Sequence, residues 1–127
     1  MTTPTDTVAA FIALWEQPGG FARAVERYFT PATVWENHGL ATTTGIDEAL
    51  DFCRQFSAQT GMHAMKIDML AIAAAGDKVL TERIDWIIDD EGNTVMKIPL
   101  MGIFEIAGGR IAAWRDYFDT AALAPGA

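Results

Sequence analysis

One cysteine, one serine and two histidines are all that this chain has of the residues that most often carry nucleophilic or metal chemistry. Cys53 by itself forms no intrachain disulfide, and His38 and His63 stand too far apart for a zinc-ligand spacing, so no metal site is expected. Ser57 falls in a helical pattern rather than in a Gly-x-Ser-x-Gly elbow, and Cys53 has no histidine partner in a recognisable motif, which argues against an acyl-enzyme. Gly19-Gly20 and Gly108-Gly109 are isolated turn pairs, not a phosphate-cradling loop, and no cofactor is implied. Basic residues are few. Nine Lys and Arg, scattered singly, stand against seventeen Asp and Glu, and the net charge of -8 repels nucleic acid and anionic lipid. No run is long enough to cross a bilayer, and Met1-Thr2-Thr3-Pro4-Thr5-Asp6 lacks the basic start and apolar stretch of a signal peptide. A cytoplasmic protein acting on a neutral or cationic small molecule is the expectation.

At 127 residues the chain fits one domain, 1–127, with 121–127 as a loose tail. Half of its residues are hydrophobic, enough for a core together with a large apolar cavity or a buried subunit interface. Val8, Phe11, Ile12 and Trp15 recur at helical spacing over Thr5–Gln17, with Thr5 or Asp6 as N-cap and Pro18-Gly19-Gly20 as the stop. Phe21, Val25, Tyr28 and Phe29 predict a second helix that ends before Pro31, followed by an extended Ala32–His38. A third helix, marked by Ile46, Leu50, Cys53 and Phe56, runs to about Ala58. Four strand-like segments follow, at Met62–Ala74, Lys78–Ile88, Thr94–Ile106 and Arg110–Phe118. They are separated by hairpin signals at Gly76-Asp77, Asp89–Asn93 and Gly108-Gly109. Helices first and strands after predict an α+β fold in which a curved antiparallel or mixed sheet wraps as a cone over three N-terminal helices. The space between is a natural site for an apolar ligand.

Charges on two of these strands carry the chemistry. Alternate residues share a face, so Arg83 and Asp85 point the same way as Thr81 and Ile87, and Asp116 shares a face with Ala112, Trp114 and Phe118. On a solvent face they would be ordinary cross-strand ion pairs of little worth. The opposite face of Lys78–Ile88, with Leu80, Ile84, Trp86 and Ile88, is apolar enough to be covered too, which places Arg83 and Asp85 inside with Asp116 as their partner. An arginine between two aspartates holds them close, and their repulsion in apolar surroundings opposes double ionisation, giving one base and one proton donor. Asn37, with Thr33 and Trp35 on one face, is either a turn residue before His38-Gly39 or an amide that orients a water, with the Trp35 indole as a second donor. Trp15, Trp86 and Trp114 read as packing residues, Met62, Met65 and Met69 as core or pliable pocket wall, and Cys53 as buried and inert.

The runs Leu80-Thr81-Glu82-Arg83-Ile84-Asp85, Ile98-Pro99-Leu100-Met101-Gly102-Ile103-Phe104 and Trp114-Arg115-Asp116-Tyr117-Phe118-Asp119 resemble the limonene-1,2-epoxide hydrolase family in order and spacing. That resemblance implies the cystatin-like, nuclear transport factor 2-like cone shared with ketosteroid isomerase and the SnoaL-like polyketide cyclases, and a homodimer. It implies Asp116 as the base that activates water, Asp85 as the acid that protonates the epoxide oxygen, Arg83 as their bridge and Asn37 as the water holder. Trp35 stands where the family has tyrosine, a departure that touches the water site. Met62, Ile67, Ile87, Ile98 and Leu100 are the implied pocket wall, suited to a terpene-like or cyclic epoxide. An isomerase or cyclase using the same two aspartates, and a non-catalytic carrier of apolar molecules, are the alternative functions.

Overall fold

Thr3 begins the first helix. Its Oγ1 accepts from the Asp6 amide and Asp6 Oδ2 accepts from the Thr3 amide, both at 3.1 Å, a reciprocal cap that leaves Pro4 at the first helical position, where no amide hydrogen is needed. Helix α1 is therefore Pro4–Trp15, capped two to three residues earlier than Thr5 or Asp6. Its inward stripe is Val8, Phe11, Ile12 and Trp15. The computed structural model describes residues 2–121, so the tail expected over 121–127 lies, from residue 122 on, outside the described residues.

Helix α2, Gly20–Tyr28, passes directly into strand β1, Phe29–Asn37. The strand starts three residues before the expected Ala32, because buried Phe29 already belongs to the sheet, and its pairing is irregular between Phe29 and Val34, around Pro31. Strand β2, Ala41–Thr44, had no counterpart among the expectations. It is four residues long with no apolar alternation, and it forms only because the chain turns back against β1. Helix α3, Gly45–Thr60, runs two residues past the expected Ala58 to a left-handed Gly61. Strands β3, Ala64–Ala75, β4, Lys78–Ile88, β5, Thr94–Ala107, and β6, Arg110–Phe118, follow the expected pattern within two residues, with the three expected turns between them.

The sheet order is β2-β1-β6-β5-β4-β3, antiparallel throughout except where β1 lies parallel to β6. Register shifts interrupt all the ladders but β1·β2, and such irregularities bend a sheet. The helices fill the concave side, α1 against β3, β4 and β5, and α3 against β1 and β2. Phe11 sits at the centre, its ring 5.3 Å from Trp15, 5.5 Å from Trp114 and 6.0 Å from Phe29.

One expectation about faces is corrected. Ala112 does not share the inner face with Asp116. Ile106 pairs with Ile111 and Glu105 with Ala113, so Ala112 is the extra residue of a bulge and points to solvent. Within the single chain no described helix covers the outer face of β4. Leu80 is 42 % exposed, and Ile84, Trp86 and Ile88 are only half-buried, because all three helices lie on the other side. Trp86, read as packing, is a surface residue: its indole donates to Asp68 at 2.9 Å, and Lys66 and Lys97 lie over its ring.

Phe11→Ala removes the centre of this aromatic core and is expected to cost about 3–5 kcal/mol in equilibrium urea unfolding. A loss below about 1 kcal/mol would show that the core does not depend on it.

Candidate active site

On β4, the side chains of Thr81, Arg83 and Asp85 alternate inward. On β6, those of Trp114 and Asp116 do the same. These strands are not neighbours, since β5 lies between them, and β4 and β6 are about 10 Å apart. The crossing is made over Gly102, which is the register partner of both Thr81 and Asp116. A side chain there is impossible without displacement: a Cβ would stand 2.6 Å from Arg83 Nη1 and 3.2 Å from Thr81 Oγ1, and would overlap Asp116 Oδ1. With that space left open, Arg83 reaches across the strand.

Its guanidinium, fully buried, donates from Nε to Asp85 Oδ1 at 3.1 Å and from Nη2 to Asp85 Oδ2 and to Asp116 Oδ2, both at 3.0 Å. Nη1 donates to Thr81 Oγ1 at 2.9 Å, and that hydroxyl donates to the Gly102 carbonyl at 3.0 Å. Trp15 and Phe104 lie beside the guanidinium, at 5.2 and 5.7 Å from Cζ to the ring centres. Asp116 receives one further bond, from Trp114 Nε1 to Oδ1 at 2.7 Å. Trp114 was read as packing only; the Trp-x-Asp spacing on one strand face was the signal for this bond.

Burial pushes the Asp116 carboxyl up to about 6; the Arg83 charge opposes this, the Asp85 charge adds to it, and the Trp114 and Arg83 hydrogen bonds oppose it. Arg83 is also raised. Burial disfavours the cation, but the charges of Asp116 and Asp85 and the hydrogen bonds to them outweigh that. Two carboxylates and one guanidinium carry a net single negative charge, and taking up one proton makes the buried cluster neutral.

Asp85 and Asp116 open onto a cavity of about 80 Å³. At ~10–15 Å³ per water, that is room for a small ring and an attacking water. Met62, Ile87, Ile98 and Leu100 line it, as expected, with Met65. Ile67 does not; it packs half-buried against the core, and Met65, the longer side chain beside Ile87 in the β3·β4 register, takes its place. Met69 is also outside the cavity, 36 % exposed. Phe118, on the face of Asp116, also lines it, and Phe21, Leu40, Phe52 and Phe56 do so without a sequence signal for the pocket. Cys53 lines it as well, and burial pushes its thiol up to about 12, which makes it a poor nucleophile at neutral pH. A second cavity of about 270 Å³ shares Trp15, Phe21, Cys53, Met62 and Met65 with the first, yet neither carboxylate lines it.

The parallel β1·β6 register sets Asn37 beside Asp116 and Trp35 beside Trp114. Asn37 lines the cavity, and its side-chain amide makes no hydrogen bond among the described residues. Trp35, 4 % exposed, stacks on Trp114 at 4.8 Å and 8°, and its buried Nε1 also lacks a partner among the described residues.

Both the sequence and the fold have known relatives. The family model of the limonene-1,2-epoxide hydrolase catalytic domain matches residues 2–126. The epoxide hydrolase EphG of Mycobacterium tuberculosis is 35 % identical over 86 residues, 68 % of this chain and 54 % of that protein. The matched segment thus spans about half the length of this curated relative. Among solved structures, an LEH-like epoxide hydrolase of M. tuberculosis superposes with a TM-score of 0.74 at 28 % identity, covering 92 % of this chain and 83 % of that one. An NTF2-like protein of unknown function from Burkholderia pseudomallei K96243 superposes with a TM-score of 0.75 at 19 % identity, covering 97 % and 95 %, which shows the fold alone.

Gly102→Ala is expected to break the buried ion cluster and cost about 3–5 kcal/mol in urea unfolding. Asp90→Ala, exposed in the turn between β4 and β5, is expected to change stability by less than about 0.5 kcal/mol. Equal effects would contradict the role given to Gly102.

Proposed function

Because the chain belongs to the limonene-1,2-epoxide hydrolase catalytic-domain family, we propose that it adds water to a small apolar epoxide, terpene-like or cyclic, giving a vicinal diol in one step. The observation that carries this reading is the Asp85–Arg83–Asp116 cluster opening onto an apolar cavity beside Asn37. Asp116, the register neighbour of Asn37, is the base. A water held by the Asn37 amide and by the Trp35 indole N–H gives its proton to Asp116 as its oxygen attacks an epoxide carbon. Asp85, on the other side of Arg83 and paired in register with Ile98, is the acid that delivers a proton to the leaving oxygen. One proton enters the cluster as one leaves it, so its charge is unchanged across the step, and a proton transfer from Asp116 back to Asp85 resets it. No covalent ester is required.

One feature supports the assignment. A carboxyl pushed up to about 6 is poised just below neutral pH, ionised yet basic enough to accept a proton. Trp35, where the resemblance puts a tyrosine, is a departure at the water site that favours the isomerase or cyclase alternative: an indole can donate one hydrogen bond but cannot accept one. The outer face of the sheet, where Leu80 and Met101 are 42 % and 51 % exposed, supports a homodimer of this one-domain chain.

Asp116→Asn and Asp85→Asn are each expected to lower kcat/KM for diol formation by about 10²–10⁴-fold without unfolding the protein. Normal turnover in either variant would remove the assignment. Protonation of Asp116 deletes the base, so kcat/KM is expected to fall as pH drops through about 6, by tenfold per unit below it. A profile flat to pH 4.5 would contradict this. In ¹⁸O-water, one turnover is expected to place the label in the diol; unlabelled diol from the first turnover would indicate a covalent ester instead.

A further inference from the structure

We propose that Trp114 decides which of the two aspartates is the base, by holding Asp116 in its carboxylate form through its indole N–H. The inference rests on the base and acid roles given above and adds what separates them. Arg83 by itself favours the other assignment. It gives Asp85 two N–H bonds, from Nε and Nη2, and Asp116 only one, from Nη2. On those bonds alone Asp85 is the better-stabilised carboxylate, and Asp116, enclosed in the core, is the residue that would take the cluster's proton.

The indole redresses the count. Nε1 of Trp114 lies 2.7 Å from Asp116 Oδ1, and it makes no bond to Asp85. An indole N–H donates and cannot accept, so it binds the ionised oxygen and gives nothing back to a protonated one. Nor is it free to turn away. Trp114 is 1 % exposed and stacks on Trp35 at 4.8 Å, Trp15 at 5.2 Å and Phe104 at 5.2 Å. With Oδ1 engaged by Trp114 and Oδ2 by Arg83, the proton from water enters at the one lone pair that each oxygen keeps.

The charged and titratable groups around Asp116 are few. β4 presents Arg83 and Asp85, β5 presents Gly102, β1 presents Trp35 and Asn37, α1 presents Trp15, and α3 presents the Cys53 thiol, which stays protonated below about 12. Among the described residues the Trp114 indole is thus the one side-chain donor that bonds Asp116 and not Asp85. Its bond lowers the Asp116 carboxyl against the burial that raises it. Trp114 is a positioning residue in this account, since it touches the base and not the reacting atoms.

Trp114→Phe keeps the stacking ring and removes the donor. The acid limb of kcat/KM is expected to move up by about one pH unit in this variant, the shift that corresponds to loss of one hydrogen bond to a charged group. A loss of activity equal at every pH, with the limb unmoved, would show a packing role only and overturn the proposal. A second measurement needs neither turnover nor the variant. The four tryptophans give four indole N–H resonances, and one of them is expected to shift with a midpoint near 6 in the unmodified protein and to stop shifting in Asp116→Asn. Four resonances indifferent to pH between 4.5 and 8 would overturn the proposal even if the protein hydrolyses epoxides. A titrating indole in a protein that forms no diol would leave the Trp114 bond in place and remove the hydrolase reading.

Discussion

A guanidinium with no exposed surface cannot stand alone in a protein core, and the rest of this molecule is arranged around that constraint. Arg83 gives its hydrogens to Asp85, Asp116 and Thr81, and aromatic rings lie beside it. Removing either carboxylate takes away acceptors that the buried guanidinium fork uses. Adding even a methyl group at Gly102 puts matter where the fork passes over β5. The ion cluster therefore constrains a strand that contributes no charged side chain to it.

The cone supplies what such a cluster needs in order to act. Its concave side lines the cavity with phenylalanine, tryptophan and methionine, and such apolar surroundings raise the cost of a second negative charge. Its parallel β1·β6 pairing brings a strand from early in the chain beside the last one, so that Asn37 and Trp35 arrive next to Asp116 and Trp114. The proposed water site and the proposed base are thus joined by a single ladder. Asp85, the proposed acid, lies across Arg83 and lines the same apolar cavity.

Much of this was legible in the chain, and the parts that were not have identifiable causes. Period-two alternation put Arg83 with Asp85, and Trp114 with Asp116, on common faces, and the observed burial agrees. The four long strands and their turns followed from glycine and apolar pattern. Alternation is local, however, and says nothing of strand order, so the crossing over Gly102 was not visible until β5 was found between the two charged strands. The bulge at Ala112 shifts the alternation of β6 by one residue, and no residue there announces it. Strand β2 exists through its partner β1 and not through its own composition. Trp114 looked like packing because hydrophobicity dominates any reading of tryptophan, while its one polar atom depends on what faces it. The outer face of β4 was apolar enough to suggest a cover, and the single chain leaves it open.

The central claim is that this cluster opens epoxides with water rather than moving a proton next to a carbonyl or binding an apolar molecule unchanged. Incubating the protein with cyclohexene oxide, limonene oxide and styrene oxide and analysing the products for diol tests it most directly. The account predicts diol from at least one of them, above the rate of spontaneous opening and absent with Asp116→Asn. No diol from any of the three, together with solvent hydrogen exchange into a cyclic ketone, would contradict it and assign the same residues to an isomerase.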